Sequence, residues 1–130
     1  FDDTGEIWTG SSLGESLDTD GTNREHPHMK PEISAPGVGI ISTAYGGEYY
    51  SSTGTSDATV FVAGILALIL EAEPHIMNDT DVDCITEVKL ALKESAIPIN
   101  PDVEHDSRSG YGALSGTGLL DEIRNSGACL

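Results

Sequence analysis

Basic residues are scarce in this chain. Six Lys and Arg stand against 22 Asp and Glu, for a net charge of −16. A surface this negative repels phosphate backbones and anionic headgroups, so nucleic acid and anionic membranes are poor partners. Cysteine is nearly absent as well. The two that occur, Cys84 and Cys129, could pair in an oxidising compartment or stay as buried free thiols, and a count of two leaves both open. Long hydrophobic runs are missing. The longest, residues 60–70, is eleven residues, which suits a buried helix and falls short of a membrane span. No signal sequence opens the chain at Phe1, a feature that a mature secreted chain would share. No repeat or low-complexity segment appears.

What is present is enough for one domain with a core: 130 residues, 38% of them hydrophobic. The acidic residues are scattered rather than gathered in a tail. That favours a surface adapted to high salt, where ions screen self-repulsion, over an acidic interaction patch. The pattern mixes strands with helices and predicts an α/β layered fold. Short strands are expected over 6–9, 33–35 and 38–44, and residues 15–30 read as polar loop. Tyr45-Gly46-Gly47-Glu48 is a turn, and residues 49–52 return as the second arm of a hairpin. Residues 56–73 form a helix that is apolar nearly all round, ended by Pro74. Thr80 and Asp83 resemble a capping box for a second helix, with Val82, Ile85, Val88 and Leu92 as its buried face and Pro98 as its stop. Gly110-Tyr111-Gly112 reads as loop or strand, and a short helix is expected over 119–124. A helix apolar on every side needs cover on every side, so the chain is expected to leave apolar surface exposed.

The segment that carries chemistry is Gly54-Thr55-Ser56-Asp57-Ala58-Thr59-Val60-Phe61-Val62-Ala63-Gly64. A small-residue turn presents a serine at the start of the apolar helix. A serine hydroxyl needs a fixed position, a base, and donors for the oxyanion that forms after attack. The free N–H groups and the dipole of a helix N-terminus supply the position and the donors. The bland alternative is that Ser56 only caps a core helix.

At these residues the chain resembles the subtilisin-like serine proteases, the subtilases. Their nucleophile motif reads Gly-Thr-Ser-x-Ala-x-Pro-x-Val-Ala-Gly, and this chain departs from it only at Val60, where the family has Pro. Lys30-Pro31-Glu32-Ile33-Ser34-Ala35-Pro36-Gly37-Val38 is similar to the family's Lys-Pro-Asp-x-x-Ala-Pro-Gly strand. Ser11-Ser12-Leu13-Gly14 is similar to its Phe-Ser-x-x-Gly. Gly118-Leu119-Leu120-Asp121 is similar to its Gly-x-Gly-x-x-Asp-Ala close. The matches fall in the family's order over roughly residues 1–124.

The resemblance implies a subtilisin-like layered fold with a mostly parallel sheet and flanking helices, of which residues 1–130 are the C-terminal part of the catalytic domain. It implies that Ser56 is the nucleophile and that its backbone N–H donates to the oxyanion. Tyr45, Gly46, Gly47, Thr53, Gly54 and Thr55 border the substrate cleft. The expected reaction is hydrolysis of peptide bonds through an acyl-enzyme, on a peptide or protein substrate, in a secreted protein that needs no cofactor. The family's His-Gly-Thr is absent. Asp3-Thr4-Gly5 mimics the turn of the family's catalytic Asp but lies in the wrong place. The base, its orienter and one oxyanion donor are therefore expected on a missing N-terminal part of the same domain, and this chain alone is expected to be inactive.

Two further readings stay beside this one: a non-catalytic acidic binding or scaffold domain that kept the fold, and a self-contained hydrolase using a local His such as His75 or His105. Asp57 stands where the family has Met or another apolar residue. It is expected to face away from the substrate or to pair with a donor. Phe61 reads as core. Asp18, Asp20 and Asn23 form a weak calcium candidate, against an Asx-rich turn. Glu25, His26 and His28 are a weaker transition-metal candidate, against an exposed loop.

Overall fold

The computed structural model describes residues 1–14, 30–78 and 82–129. β1 (Ile40–Thr43) and β2 (Tyr49–Ser52) pair antiparallel, with Ile40 opposite Ser52 and Thr43 opposite Tyr49. The turn between them, Tyr45–Gly47, holds Gly46 at φ 83° and Gly47 at φ 80°. A Cβ is disfavoured at those angles, so this pair of glycines is what lets the hairpin close.

The hairpin is the one sheet among the described residues. The parallel pairing that the resemblance implies is confined here to a single bridge, Ser34 with Ala113. Ser34 N donates to Gly112 O and Leu114 N to Ser34 O, both at 2.8 Å. Ala113 also pairs antiparallel with Ile97, through bonds of 2.7 and 2.9 Å. Three extended segments therefore lie side by side, but Pro31 and Pro36 have no N–H to offer a longer ladder. The strands expected over 33–35 and 110–112 are reduced to this ribbon. Residues 6–9 form no strand. Asp2 Oδ1 accepts from Thr4 N, Thr4 Oγ1 and Glu6 N at 2.9, 2.7 and 3.0 Å. Donors near this segment are thus held in a side-chain-capped turn.

The helices are α1 (Thr55–Ala72), the one-turn α2 (His75–Asn78), α3 (Val82–Glu94) and α4 (Gly116–Ser126). Glu73 caps α1 through its N–H to Ile69 O at 2.8 Å, and Pro74 separates it from α2. The core lies where α1, α3 and α4 meet: Ile69, Ile76, Cys84, Ala91, Leu119, Ile123 and Ala128. Leu119 and Ile123 on α4 are its centre, at 0% and 1% exposure. Cys84 and Cys129 form a disulfide across a separation of 45 residues, and the described chain has no free cysteine, which closes the free-thiol alternative.

The buried face of α3 differs from the expected one. Cys84 and Ala91 are buried with Val88 and Leu92 partly buried against the core, whereas Ile85 is 65% exposed. The disulfide turns Cys84 inward, and small Ala91 admits α4. Thr80 lies outside the described residues.

α1 is covered on one side only. Ile69 is its one buried residue, while Val60 and Leu68 stay largely exposed. The expected exposed apolar surface is therefore present. Phe61, read as core, belongs to it at 43% exposure. By length and a mean hydropathy of 1.6, α1 meets the composition of a membrane span. Its unbroken apolar part, residues 60–70, rises only about 16 Å, roughly half of a hydrocarbon core of about 30 Å.

Candidate active site

Ser56 is exposed in the first turn of α1. The N-cap is Gly54, which brings no side chain to the helix end. By contrast, Ser115 at the N-cap of α4 accepts from Gly118 N at 3.1 Å. The first N–H groups of a helix have no intrahelical acceptor. At α1 they stay open beside a serine hydroxyl, at the end of the helix that favours negative charge.

The turn is held from below by backbone. Gly54 N donates to Gly37 O at 2.8 Å, and Gly39 N donates to Thr53 Oγ1 at 2.9 Å. A Cβ on Gly37 would lie 2.8 Å from Gly54 O and 3.2 Å from the Ala58 Cβ. Glycine there is what allows the 37–39 segment to press against the serine turn.

Asp57 is half-buried, and its Oδ1 accepts from the Ser52 hydroxyl at 2.5 Å. The expected pairing with a donor is present, and the donor is the last residue of β2. Thr53, Gly54 and Thr55 adjoin Ser56 in the chain. Tyr45, Gly46 and Gly47 sit at the far tip of the hairpin, beyond a β2 strand that rises about 13 Å. The structure thus separates the expected cleft residues into a proximal and a distal group.

Neither described histidine is placed as a base. His75 follows the C-terminal end of α1, about 27 Å along the axis from the serine turn. Its Nε2 is 3.1 Å from Ala128 O and its Nδ1 3.7 Å from Glu73 Oε2. His105 Nε2 is 3.0 Å from Pro31 O, and its ring stands edge-on to Tyr111 at 4.9 Å. Both rings hold loops in place, which removes support for a local catalytic His. His26 and His28 lie outside the described residues, as do Glu25, Asp18, Asp20 and Asn23.

One face of α1 opens on a groove of about 560 Å³, lined among others by Trp8, Ala35, Ala58, Val62, Ala63 and Leu66. Spacings of four, one and three residues put Ala58, Val62, Ala63 and Leu66 on one helical stripe. Gly54 and Thr55, which precede Ser56, also line it, so the groove runs up to the serine turn.

Residues 2–116 match the model of the subtilase family. The chain belongs to the subtilase family. It is 35% identical over 88 residues to bacillopeptidase F of Bacillus subtilis, covering 67% of this chain and 6% of that protein. It is 33% identical over 101 residues to the halolysin-like extracellular serine protease Nep of Natrialba magadii, covering 76% of this chain and 17% of that one. The prenylagaramide maturation protease PagA superposes with a TM-score of 0.69 at 30% identity, over 95% of this chain and 40% of its own. The chain therefore spans less than half the length of each, and its fold is subtilase-like.

Within this subtilase, the family match contains the serine turn, the hairpin and the ribbon around Ser34. The Gly118-Leu119-Leu120-Asp121 similarity lies beyond the matched residues and is helical, within α4. Val60, in place of the motif's Pro, is exposed on α1. Ser52 is the site residue that sequence reasoning missed. No periodicity or motif marks a strand-end serine as the partner of a carboxylate five positions on.

Proposed function

We propose that this chain is the nucleophile-bearing part of a secreted subtilisin-like serine endopeptidase. The observation that carries this reading is the exposed Ser56 at an uncapped helix N-terminus inside the family match. Ser56 Oγ attacks the peptide carbonyl while a base takes its proton. The carbonyl oxygen becomes an oxyanion that accepts from the Ser56 N–H, the amine leaves with a proton, and water releases the acyl group. Thr53, Gly54 and Thr55 border the cleft beside Ser56, and the Tyr45–Gly47 tip borders its outer edge. The base, its orienting carboxylate and the second oxyanion donor come from chain outside these residues, seated against the apolar faces that α1 leaves open. The disulfide and the similarity to an extracellular protease support secretion.

Titration with a fluorophosphonate tests this. The complete protein should label stoichiometrically at Ser56. The isolated chain should label no faster than an ordinary serine, because a triad without its base keeps only residual catalysis. Failure of the complete protein to label would overturn the reading. It would favour a non-catalytic acidic binding domain, which a carboxylate directly beside the serine also suits.

A further inference from the structure

The β-hairpin has little to hold it. All of its residues from Ile41 to Ser51 are exposed except Ala44, and Ile41, Tyr49 and Tyr50 are 72%, 76% and 63% exposed. A two-stranded hairpin without a packed face is marginal in water. Its position relative to Ser56 therefore depends on its base. Two of the bonds there join it to the 37–39 backbone: Gly54 N donates to Gly37 O, and Gly39 N donates to the Thr53 hydroxyl. The third joins the hairpin to the helix that carries the serine: Ser52 Oγ to Asp57 Oδ1 at 2.5 Å. Among the described residues it is the one side-chain hydrogen bond between β2 and α1.

We propose that Asp57 and Ser52 are positioning residues that lock the hairpin to the nucleophile turn and so set the geometry of the cleft wall. This rests on the reading of Ser56 as a protease nucleophile. The physical argument is directional. Ser52 faces Ile40 across the first rung of the ladder, so its placement fixes the register origin of the hairpin. Asp57 follows Ser56 directly in the first helical turn. The bond spans the Thr53-Gly54-Thr55 bend, so rotation of the hairpin about that bend breaks it. A hydroxyl donating to a carboxylate is a charge-assisted bond, stronger than a neutral one. The same bond directs Oδ1 of the carboxylate at the hairpin.

The role predicts an effect on substrate binding more than on chemistry. In the complete protein, Ser52→Ala should raise KM about fivefold and leave kcat within about threefold. Ser52→Thr keeps the hydroxyl and Asp57→Asn keeps an acceptor, and each should restore most of the wild-type KM. The amides of β1 and β2 should exchange faster with solvent in Ser52→Ala than in wild type, with α3 and α4 unchanged. An unchanged KM together with unchanged hairpin exchange overturns the proposal. So does a fall in kcat and melting temperature that the Ser52→Thr variant fails to reverse, because that marks a purely structural residue. If the complete protein neither cleaves peptides nor labels with fluorophosphonate, the protease reading fails. The exchange comparison then still decides whether the lock exists.

Discussion

Reduction of the Cys84–Cys129 disulfide should be the single most damaging covalent change to this fold. The bridge closes a separation of 45 residues and ties α3 to the segment after α4. In the chain-entropy model, a loop of that size restricts the unfolded state by about 4 kcal/mol. Domains of this length have a total stability on the order of 7–20 kcal/mol, so the bridge supplies a large share. The loss is not confined to the unfolded state. Cys84 is buried in the core, Cys129 N donates to Glu87 Oε2, and His75 meets Ala128 O in the neighbouring turn. Reduction frees the clasp that closes the helical end of the molecule, opposite to the serine turn. At roughly 3–5 °C per kcal/mol for this size, the melting temperature should fall by about 12–20 °C. Calorimetry of the chain with and without dithiothreitol measures it, with a Cys84→Ser/Cys129→Ser variant as control. A fall of less than about 3 °C in both would refute the reasoning and show that packing of Leu119 and Ile123 alone closes the core.

Three other outcomes are expected. With a net charge of −16, the melting temperature should rise between low and molar KCl; a flat or falling curve removes the high-salt reading of the surface and favours an acidic interface. In the complete protein, Asp57→Met should change kcat/KM by less than about tenfold, or about 1.4 kcal/mol, because the carboxylate is already turned toward Ser52. A gain of a hundredfold would instead make Asp57 a brake, as expected of two negative charges about 4 Å apart at roughly 4 kcal/mol for an effective dielectric of 20. The N–H of Arg108, with further bonds from Ser109 and Asn100, holds the Asp106 carboxyl below its ordinary range. A depressed pKa contributes stability above the unfolded value, about pH 4, and that contribution is lost as pH falls through the folded value. Urea midpoints of wild type and Asp106→Asn should therefore converge below pH 4, and a gap that stays constant down to pH 2 would show that the carboxylate charge is not what Asp106 contributes.

Local patterns carried the elements whose cause is local. The hairpin was legible because Tyr45-Gly46-Gly47 can reverse only where glycine tolerates positive φ. α1 was legible from an apolar run between Gly54 and Pro74, and its unmet need for cover followed from being apolar on every side. Ser56 stood out because the residues around it resemble the subtilase nucleophile motif, whereas its position at a helix start would by itself also suit a plain cap. Where a segment's partner is distant in sequence, its own residues did not reveal the outcome. Residues 6–9 look like a strand, yet Asp2 draws nearby backbone donors into a turn. The buried face of α3 follows Cys84 rather than Ile85, since a disulfide to Cys129 sets the rotation of the helix. His75 and His105 were free to be a base on paper, and the fold assigns both to backbone carbonyls far along the chain. The Ser52–Asp57 bond is the clearest case. Both residues were visible, but a hydrogen bond needs distance and direction. Only the bend between β2 and α1 brings the hydroxyl to the carboxylate.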